Sequence, residues 1–329
     1  MGCTVSTREN PYLQVPGRNE VSSWEPPNWD KEAGRLRDAI RGLGTDEISI
    51  VRVLARLTNR QRRKLLRVYK ERFNEDLATV LETELRGAAK TVVDALLYTP
   101  EMYNVTSLKE AFESKDYDTV VSIIISSRND SLMDMKEKYF AEFNKTLEDD
   151  LSKIPDKDVR HIVMSLLSVD RSSAKKRADK EAARIRATLL FNDGDILSLL
   201  CEKVGRNQLR ETLAAFLELH RINIGQFIEE KCSTLSKKAQ DTLKDCVLLI
   251  ENPPQYFAKE MAKADELKIL RMMVSRSEID LYYIKKEFLS IYSRQLHDTI
   301  DKQCRFDYAR LLIVILELRG QYSESAKKR

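Results

Sequence analysis

Two glycines two residues apart stand directly before an apolar stretch in Ala39-Ile40-Arg41-Gly42-Leu43-Gly44-Thr45-Asp46-Glu47. A Gly-x-Gly turn lets successive backbone carbonyls point outward together, which is the donor set of a hard cation. Ca²⁺ takes about six to eight oxygens at roughly 2.3–2.6 Å. Carbonyls alone leave the cation's charge uncompensated, so a carboxylate distant in sequence has to fold back onto the loop. Thr45 is the expected cap of the following helix, and Asp46 and Glu47 suit the positive end of its dipole. The same stretch also reads as an ordinary Gly-rich turn between helices.

A second chemistry is written at the start of the sequence. Met1-Gly2-Cys3-Thr4-Val5-Ser6 fits the N-myristoylation pattern, with Cys3 placed for palmitoylation. One myristoyl chain binds a bilayer marginally and reversibly, and a second acyl chain makes anchoring stable. Gly2 is expected to carry the first chain and Cys3 the second. Pro11, Pro16, Gly17, Pro26 and Pro27 mark residues 1–30 as an extended tail. Trp24 and Trp29 are expected to pin that tail to the folded body.

Other chemistries find no support. The five cysteines (Cys3, Cys201, Cys232, Cys246, Cys304) form no C-x-x-C pair, and the three histidines (His161, His220, His297) are not spaced as metal ligands. No nucleophile–base pairing, paired-carboxylate site or phosphate loop can be argued, so an enzyme is not expected. The 56 Lys+Arg nearly balance the 52 Asp+Glu, too evenly for a nucleic-acid binder. No secretory h-region is visible, and the aliphatic run Leu311 to Leu316 is far too short to cross a bilayer. Sequons such as Asn104-Val105-Thr106 then have no route to glycosylation, and a cytoplasmic chain is expected.

The elements that must position these residues are helical. Only 10 of 329 residues are Gly, against a typical 7% or so, which disfavours folds rich in φ > 0 positions. Ile50, Val53, Leu54 and Leu57 recur at helical spacing, as do Leu281, Ile284, Phe288, Ile291 and Tyr292. Bulky residues at steps of four reveal an internal repeat: Tyr69, Phe73, Leu77 and Leu81; Tyr139, Phe143, Leu147 and Leu151; Phe216, His220, Ile224 and Ile228; Phe288, Tyr292, Leu296 and Ile300. Their starts at 69, 139, 216 and 288 lie 70, 77 and 72 residues apart. A period of that length is a multi-helix unit, and four units stacked side by side would bury a continuous core. His220 sits where other copies carry an aromatic, so it is a packing residue.

With these residues in view, the sequence resembles the annexin family. Arg41-Gly42-Leu43-Gly44-Thr45-Asp46-Glu47 is similar to the annexin calcium loop, and Met273-Val274-Ser275-Arg276-Ser277-Glu278-Ile279-Asp280-Leu281 is similar to the signature of the fourth annexin repeat. The step-of-four register also resembles the family's, and the likeness covers nearly all of residues 31–320. It implies an all-α fold of four repeats, about five helices each, in a curved disc that binds calcium and anionic phospholipid. The implied division is a tail at 1–30 and repeats at 31–102, 103–173, 174–254 and 255–329.

The resemblance implies carbonyl ligands from Ile40, Gly42 and Gly44, with Glu84 as the bidentate carboxylate and Thr45 and Glu47 as a weaker secondary site. One carboxylate against a divalent ion leaves a positive site that an anionic headgroup could complete. The other three loops depart from the pattern: Phe112-Glu113-Ser114-Lys115-Asp116-Tyr117 in the second, residues 187–195 in the third, Ala262-Lys263-Ala264-Asp265-Glu266-Leu267 in the fourth. Their acids align with Ile154, Leu235 and Gln303. Asn192-Asp193-Gly194-Asp195 lacks the spaced Glu of an EF-hand loop and reads as a helix start. The basic clusters Arg60-Arg62-Arg63-Lys64, Lys175-Lys176-Arg177 and Lys327-Lys328-Arg329 read as solvated surface.

The leading expectation is a peripheral protein on the cytoplasmic face of membranes, the plasma membrane first, with one calcium site and an acylated tail whose chains replace the avidity of the lost sites. Its alternatives are a calcium-independent scaffold for protein partners and a cytosolic helical adaptor. No nucleic-acid partner is expected.

Overall fold

The computed structural model describes residues 27–42, 44–170, 174 and 177–327, with side chains described through residue 319. Twenty α-helices and no strand occur among the described residues. They run as α1 (Trp29–Arg41), α2 (Glu47–Arg56), α3 (Asn59–Phe73), α4 (Leu77–Glu84) and α5 (Gly87–Leu97). Next come α6 (Pro100–Glu113), α7 (Tyr117–Ser126), α8 (Asn129–Phe143), α9 (Leu147–Leu151) and α10 (Lys157–Ser168). The third set is α11 (Lys180–Asp193), α12 (Ile196–Cys201), α13 (Arg206–His220), α14 (Ile224–Lys231) and α15 (Lys237–Glu251). The last is α16 (Pro253–Met261), α17 (Glu266–Arg276), α18 (Leu281–Tyr292), α19 (Leu296–Gln303) and α20 (Phe306–Lys327).

The step-of-four register crosses a break between two helices. Asn74, Asn144, Arg221 and Ser293 each end a helix in the left-handed conformation, at φ 54°, 49°, 55° and 51°. The N–H of each cap donates to the carbonyl four residues back, on Lys70, Phe140, Leu217 and Leu289. The left-handed cap turns the chain so that residues on both sides of it reach one core. Tyr69, Leu77 and Leu81 are all buried, and the Tyr69 and Phe73 rings meet edge-on at 4.8 Å. Each fully buried Leu or Ile in such a cluster contributes about 1.5–3 kcal/mol. His220 is a packing residue here, stacked on Phe191 with ring centroids 4.1 Å apart.

The blocks do not pack in simple chain order. Among the described residues, those up to 98 and from 257 onward form one compact unit, and those from 99 to 256 form a second. In the first unit, α20 packs against α2 and α5 from the far end of the sequence. Arg319 donates to the Leu57 carbonyl across that seam. Arg62 does the same work from α3. Its guanidinium is buried, donates to the carbonyls of Leu54 (3.1 Å) and Leu57 (2.5 Å), and pairs with Glu278 at 3.1 Å. Burial lowers its pKa to about 10. The expectation that Arg62 lies on a solvated basic face is therefore corrected. A guanidinium's several donors can supply carbonyls at a helix end, where backbone donors run short.

The signature at 273–281 is structural too. Arg276 grips the buried Asp280 through two bonds of 2.7 and 2.6 Å and lies over Phe257 at 4.5 Å. Trp29 opens α1, with Asn28 as its N-cap, and the Lys64 ammonium sits 4.8 Å from the Trp29 ring centroid. Gly2, Cys3, Trp24, Lys175, Lys176, Lys328 and Arg329 lie outside the described residues. No helix among the described residues is long and apolar enough to cross a membrane.

Candidate metal centre

The loop between α1 and α2 is closed by one backbone bond, from the Asp46 N–H to the Ala39 carbonyl at 2.8 Å. The helix cap is Asp46 rather than the expected Thr45: its carboxylate accepts from Ser49 N at 3.0 Å and Ser49 Oγ at 2.7 Å. Those bonds hold the Asp46 carboxyl below the usual carboxylate range. Asp116, Asp195 and Asp265 cap α7, α12 and α17 in the same way. The aspartate is thus a start signal common to all four loops, and Thr45 is left over for other duties.

Inside the loop, Gly44 adopts φ +85°, where a side chain is strained, and nothing lies within 4 Å of where its Cβ would be. A Cβ on Gly42 would come within 3.4 Å of the Gly44 carbonyl oxygen, so glycine keeps that oxygen uncovered. The carbonyls of a helix's last turn have no intrahelical donor. Among the described residues, no backbone N–H outside the helices donates to the oxygens of Ile40, Gly42 or Gly44. Glu84, the last residue of α4, is exposed and makes no hydrogen bond or ion pair with a described residue. Unpaired carbonyls and an unpaired carboxylate are a donor set that fits a hard divalent cation. Glu47 is differently placed, because its carboxylate pairs with Arg310 of α20.

The other three loops have lost this arrangement, each by a different substitution at the end of the fourth helix of its set. In the second, Ile154 is buried beyond the end of α9, and the left-handed residue of the shorter loop is Lys115 (φ 60°), directly before the Asp116 cap, whereas Gly44 lies two residues before Asp46. In the third, the alignment of the acid with Leu235 is corrected. α14 and α4 both span eight residues, which puts Lys231 where α4 has Glu84. The Lys231 stem covers the Gly194 turn, 3.3 Å from where a Cβ would stand. The signal was present in the sequence: Ile228 is the repeat's register residue, and Lys231 follows it by three just as Glu84 follows Leu81. A longer connection before α15 displaced the alignment.

In the fourth, Gln303 closes the loop itself. Its amide Nε2 donates to the Ala262 carbonyl at 2.9 Å, a contact across 41 residues of sequence. Arg305 then holds Glu266 through its backbone N (3.0 Å) and Nε (2.8 Å). In the third and fourth sets the side chain at this position thus reaches the loop between the first two helices of its set.

A helical-repeat protein with one carbonyl-lined loop is the class that fold and site define. The family model described as annexin matches residues 31–96 and 257–315. Annexin A13 of Mus musculus is 31% identical over 303 residues, covering 87% of this chain and 94% of that protein. The chain belongs to the annexin family. Annexin A6 of Gallus gallus is 30% identical over 310 residues, and the chain spans about half of that longer protein (46%). Among solved structures, annexin III superposes with a TM-score of 0.77 at 25% identity, covering 94% of this chain and 98% of that one. Calcium-bound annexin (Sm)1 gives 0.77 at 21% identity, over 92% and 98% of the two chains, and supports the fold alone.

Proposed function

We propose that this chain is a calcium-dependent phospholipid-binding protein, peripheral on the cytoplasmic face of membranes, with a single calcium site and an acylated N-terminus. The carbonyls of Ile40, Gly42 and Gly44 and the carboxylate of Glu84 would hold Ca²⁺. The observation that carries the reading is the set of loop oxygens without backbone donors, together with a Glu84 that has no partner among the described residues, in a family known for this chemistry. Bound calcium supplies the positive charge that recruits an anionic headgroup. The protein's part is to leave its oxygens uncovered, keep Glu84 free, and donate too little negative charge to satisfy the ion alone.

Thr45 and Glu47 form a weaker secondary site in this reading, since Glu47 must first release Arg310. Gly2 carries myristate and Cys3 palmitate, a claim that rests on the sequence motif alone. The four-repeat division at 31–102, 103–173, 174–254 and 255–329 belongs to the same proposal.

Co-sedimentation with phosphatidylserine vesicles tests it, for the wild type, Glu84→Gln and Gly2→Ala. In salt high enough to release any calcium-independent charge contact, calcium should drive Gly2→Ala protein onto vesicles and leave Glu84→Gln/Gly2→Ala in solution. If calcium moves neither, the metal reading fails and a calcium-independent scaffold replaces it. Mass analysis of the natural N-terminus decides acylation separately.

A further inference from the structure

Helix α3 carries four cations with no acidic partner among the described residues. Arg60, Arg63, Lys64 and Arg67 are all exposed, and none forms an ion pair or hydrogen bond with a described residue. Arg60, Lys64 and Arg67 repeat at 0, 4 and 7 and share one helix face with Gln61, around a shallow depression of about 410 Å³. Arg63 flanks it. The nearby acids are committed elsewhere. Glu278 accepts from Arg62 and from the Asn59 N–H, and Asp30 pairs with Arg72 at 3.0 Å. Glu71 is the only acid within α3 itself, one turn beyond Arg67.

The other copies of this helix show that the repeat does not require such charge. In the same register α8 has Asp130, Met133, Asp134 and Glu137, and α13 has Asn207, Arg210, Glu211 and Ala214. α18 and the turn before it supply Ile279, Tyr282, Tyr283 and Lys286. Four unpaired cations here thus stand against three acids in the second set, on helices of one architecture. Four like charges on one helix repel one another, and nothing in the fold offsets them.

The chain also enters the folded body at this stripe, because Trp29 lies against Lys64. Whatever tethers the segment before Trp29 to a bilayer brings α3 close to that bilayer and raises its effective concentration there.

We propose that Arg60, Arg63, Lys64 and Arg67 form a calcium-independent contact for an anionic bilayer surface, separate from the α1–α2 loop. The proposal takes its partner, a lipid surface, from the membrane reading above. Its test removes both calcium and the acyl chains, so its failure leaves that reading standing. Cations at a charged leaflet attract it additively, and the attraction decays within a Debye length.

The experiment uses full-length, non-acylated Gly2→Ala protein in excess chelator. It is sedimented with vesicles of phosphatidylcholine containing 30% phosphatidylserine (a chosen composition of about that figure) or of phosphatidylcholine alone. The protein should bind the anionic vesicles at low salt and be released as salt rises. Arg63→Gln/Lys64→Gln/Arg67→Gln should weaken binding about fivefold per charge removed, about a hundredfold in all. A control removing three exposed lysines elsewhere, Lys203, Lys259 and Lys302, should weaken it far less. Thermal melts confirm that both variants fold. Equal binding by the two triple variants, or no binding by the Gly2→Ala parent, overturns the proposal. Stripe-dependent binding to a polyanion such as heparin, with vesicles ignored, overturns the lipid assignment.

Discussion

The first and fourth interhelical loops occupy the same place in their sets and end in opposite states. In the fourth, Gln303 reaches across and gives its amide hydrogen to the Ala262 carbonyl, while Arg305 neutralises Glu266. The loop oxygens are spoken for by the protein's own donors. In the first, Gln303's counterpart is Glu84, which can only accept hydrogen bonds when ionised, and the carbonyls of Ile40, Gly42 and Gly44 stay without backbone donors. An amide that donates in place of a carboxylate that accepts, in a loop without the two glycines, sets the loop closed by its own chain apart from the one whose carbonyls stay open. A loop of this fold without an acid at this position thus need not be left open. In the fourth loop a donor side chain of the right length closes it.

The sharpest way to break that comparison is Glu84→Gln. Removing the one carboxylate proposed as the primary ligand of the first loop should raise the calcium needed for half-maximal vesicle binding by about a hundredfold, or about 2.7 kcal/mol. Because Glu84 is exposed and has no partner among the described residues, the melting temperature without calcium should hardly move. A calcium response equal to wild type would show that the carboxylate comes from elsewhere.

Next in size is Gly44→Ala. The left-handed backbone at φ +85° costs a residue with a Cβ about 1–2 kcal/mol, and open space around the site means that no clash adds to it. The melting temperature should fall by a few degrees, and calcium binding by titration calorimetry should weaken with it. Lys115→Gly is the mirror experiment in the second loop. Lys115 already holds φ 60° with a side chain, so glycine there should stabilise the protein by about 0.5–1 kcal/mol. A destabilised Lys115→Gly would mean that the Lys side chain contributes more than its backbone strain costs.

Legibility in the sequence followed the physics of each element. The fold was readable because every set repeats the same buried register, from Tyr69 and Leu81 to Phe288 and Ile300. The loop glycines were readable because a φ > 0 turn has few alternatives. What lay hidden was set by partners distant in the chain. Arg62 looked like one of several surface cations until Leu57 and Glu278 enclosed it. Glu47 looked free until α20 brought Arg310 to it. Lys231 was missed because the longer link before α15 shifts the apparent alignment, although the register from Ile228 already pointed to it. The closure of the first and last blocks into one unit had no local signal at all, since it depends on contacts across more than 200 residues, such as Arg62 with Glu278 at a separation of 216.

The smallest expected effect completes the comparison from the other side. Gln303→Leu removes the donor that occupies the fourth loop while keeping similar bulk at the end of α19. The Ala262 carbonyl is near solvent, so water can take the place of the lost amide, and the cost should be about 0.5 kcal/mol. Calcium should not rescue that loss, because Leu supplies no charge and the loop from Ala262 to Asp265 contains no glycine to turn its carbonyls outward. Thermal melts with and without calcium therefore make a paired measurement: a small, calcium-insensitive drop for Gln303→Leu against a calcium-dependent rise for the wild-type first loop. If Gln303→Leu lost several kcal/mol instead, the amide would be a cornerstone of the α16–α17 connection, and closure by a side-chain donor would be a folding requirement rather than a substitute for an ion.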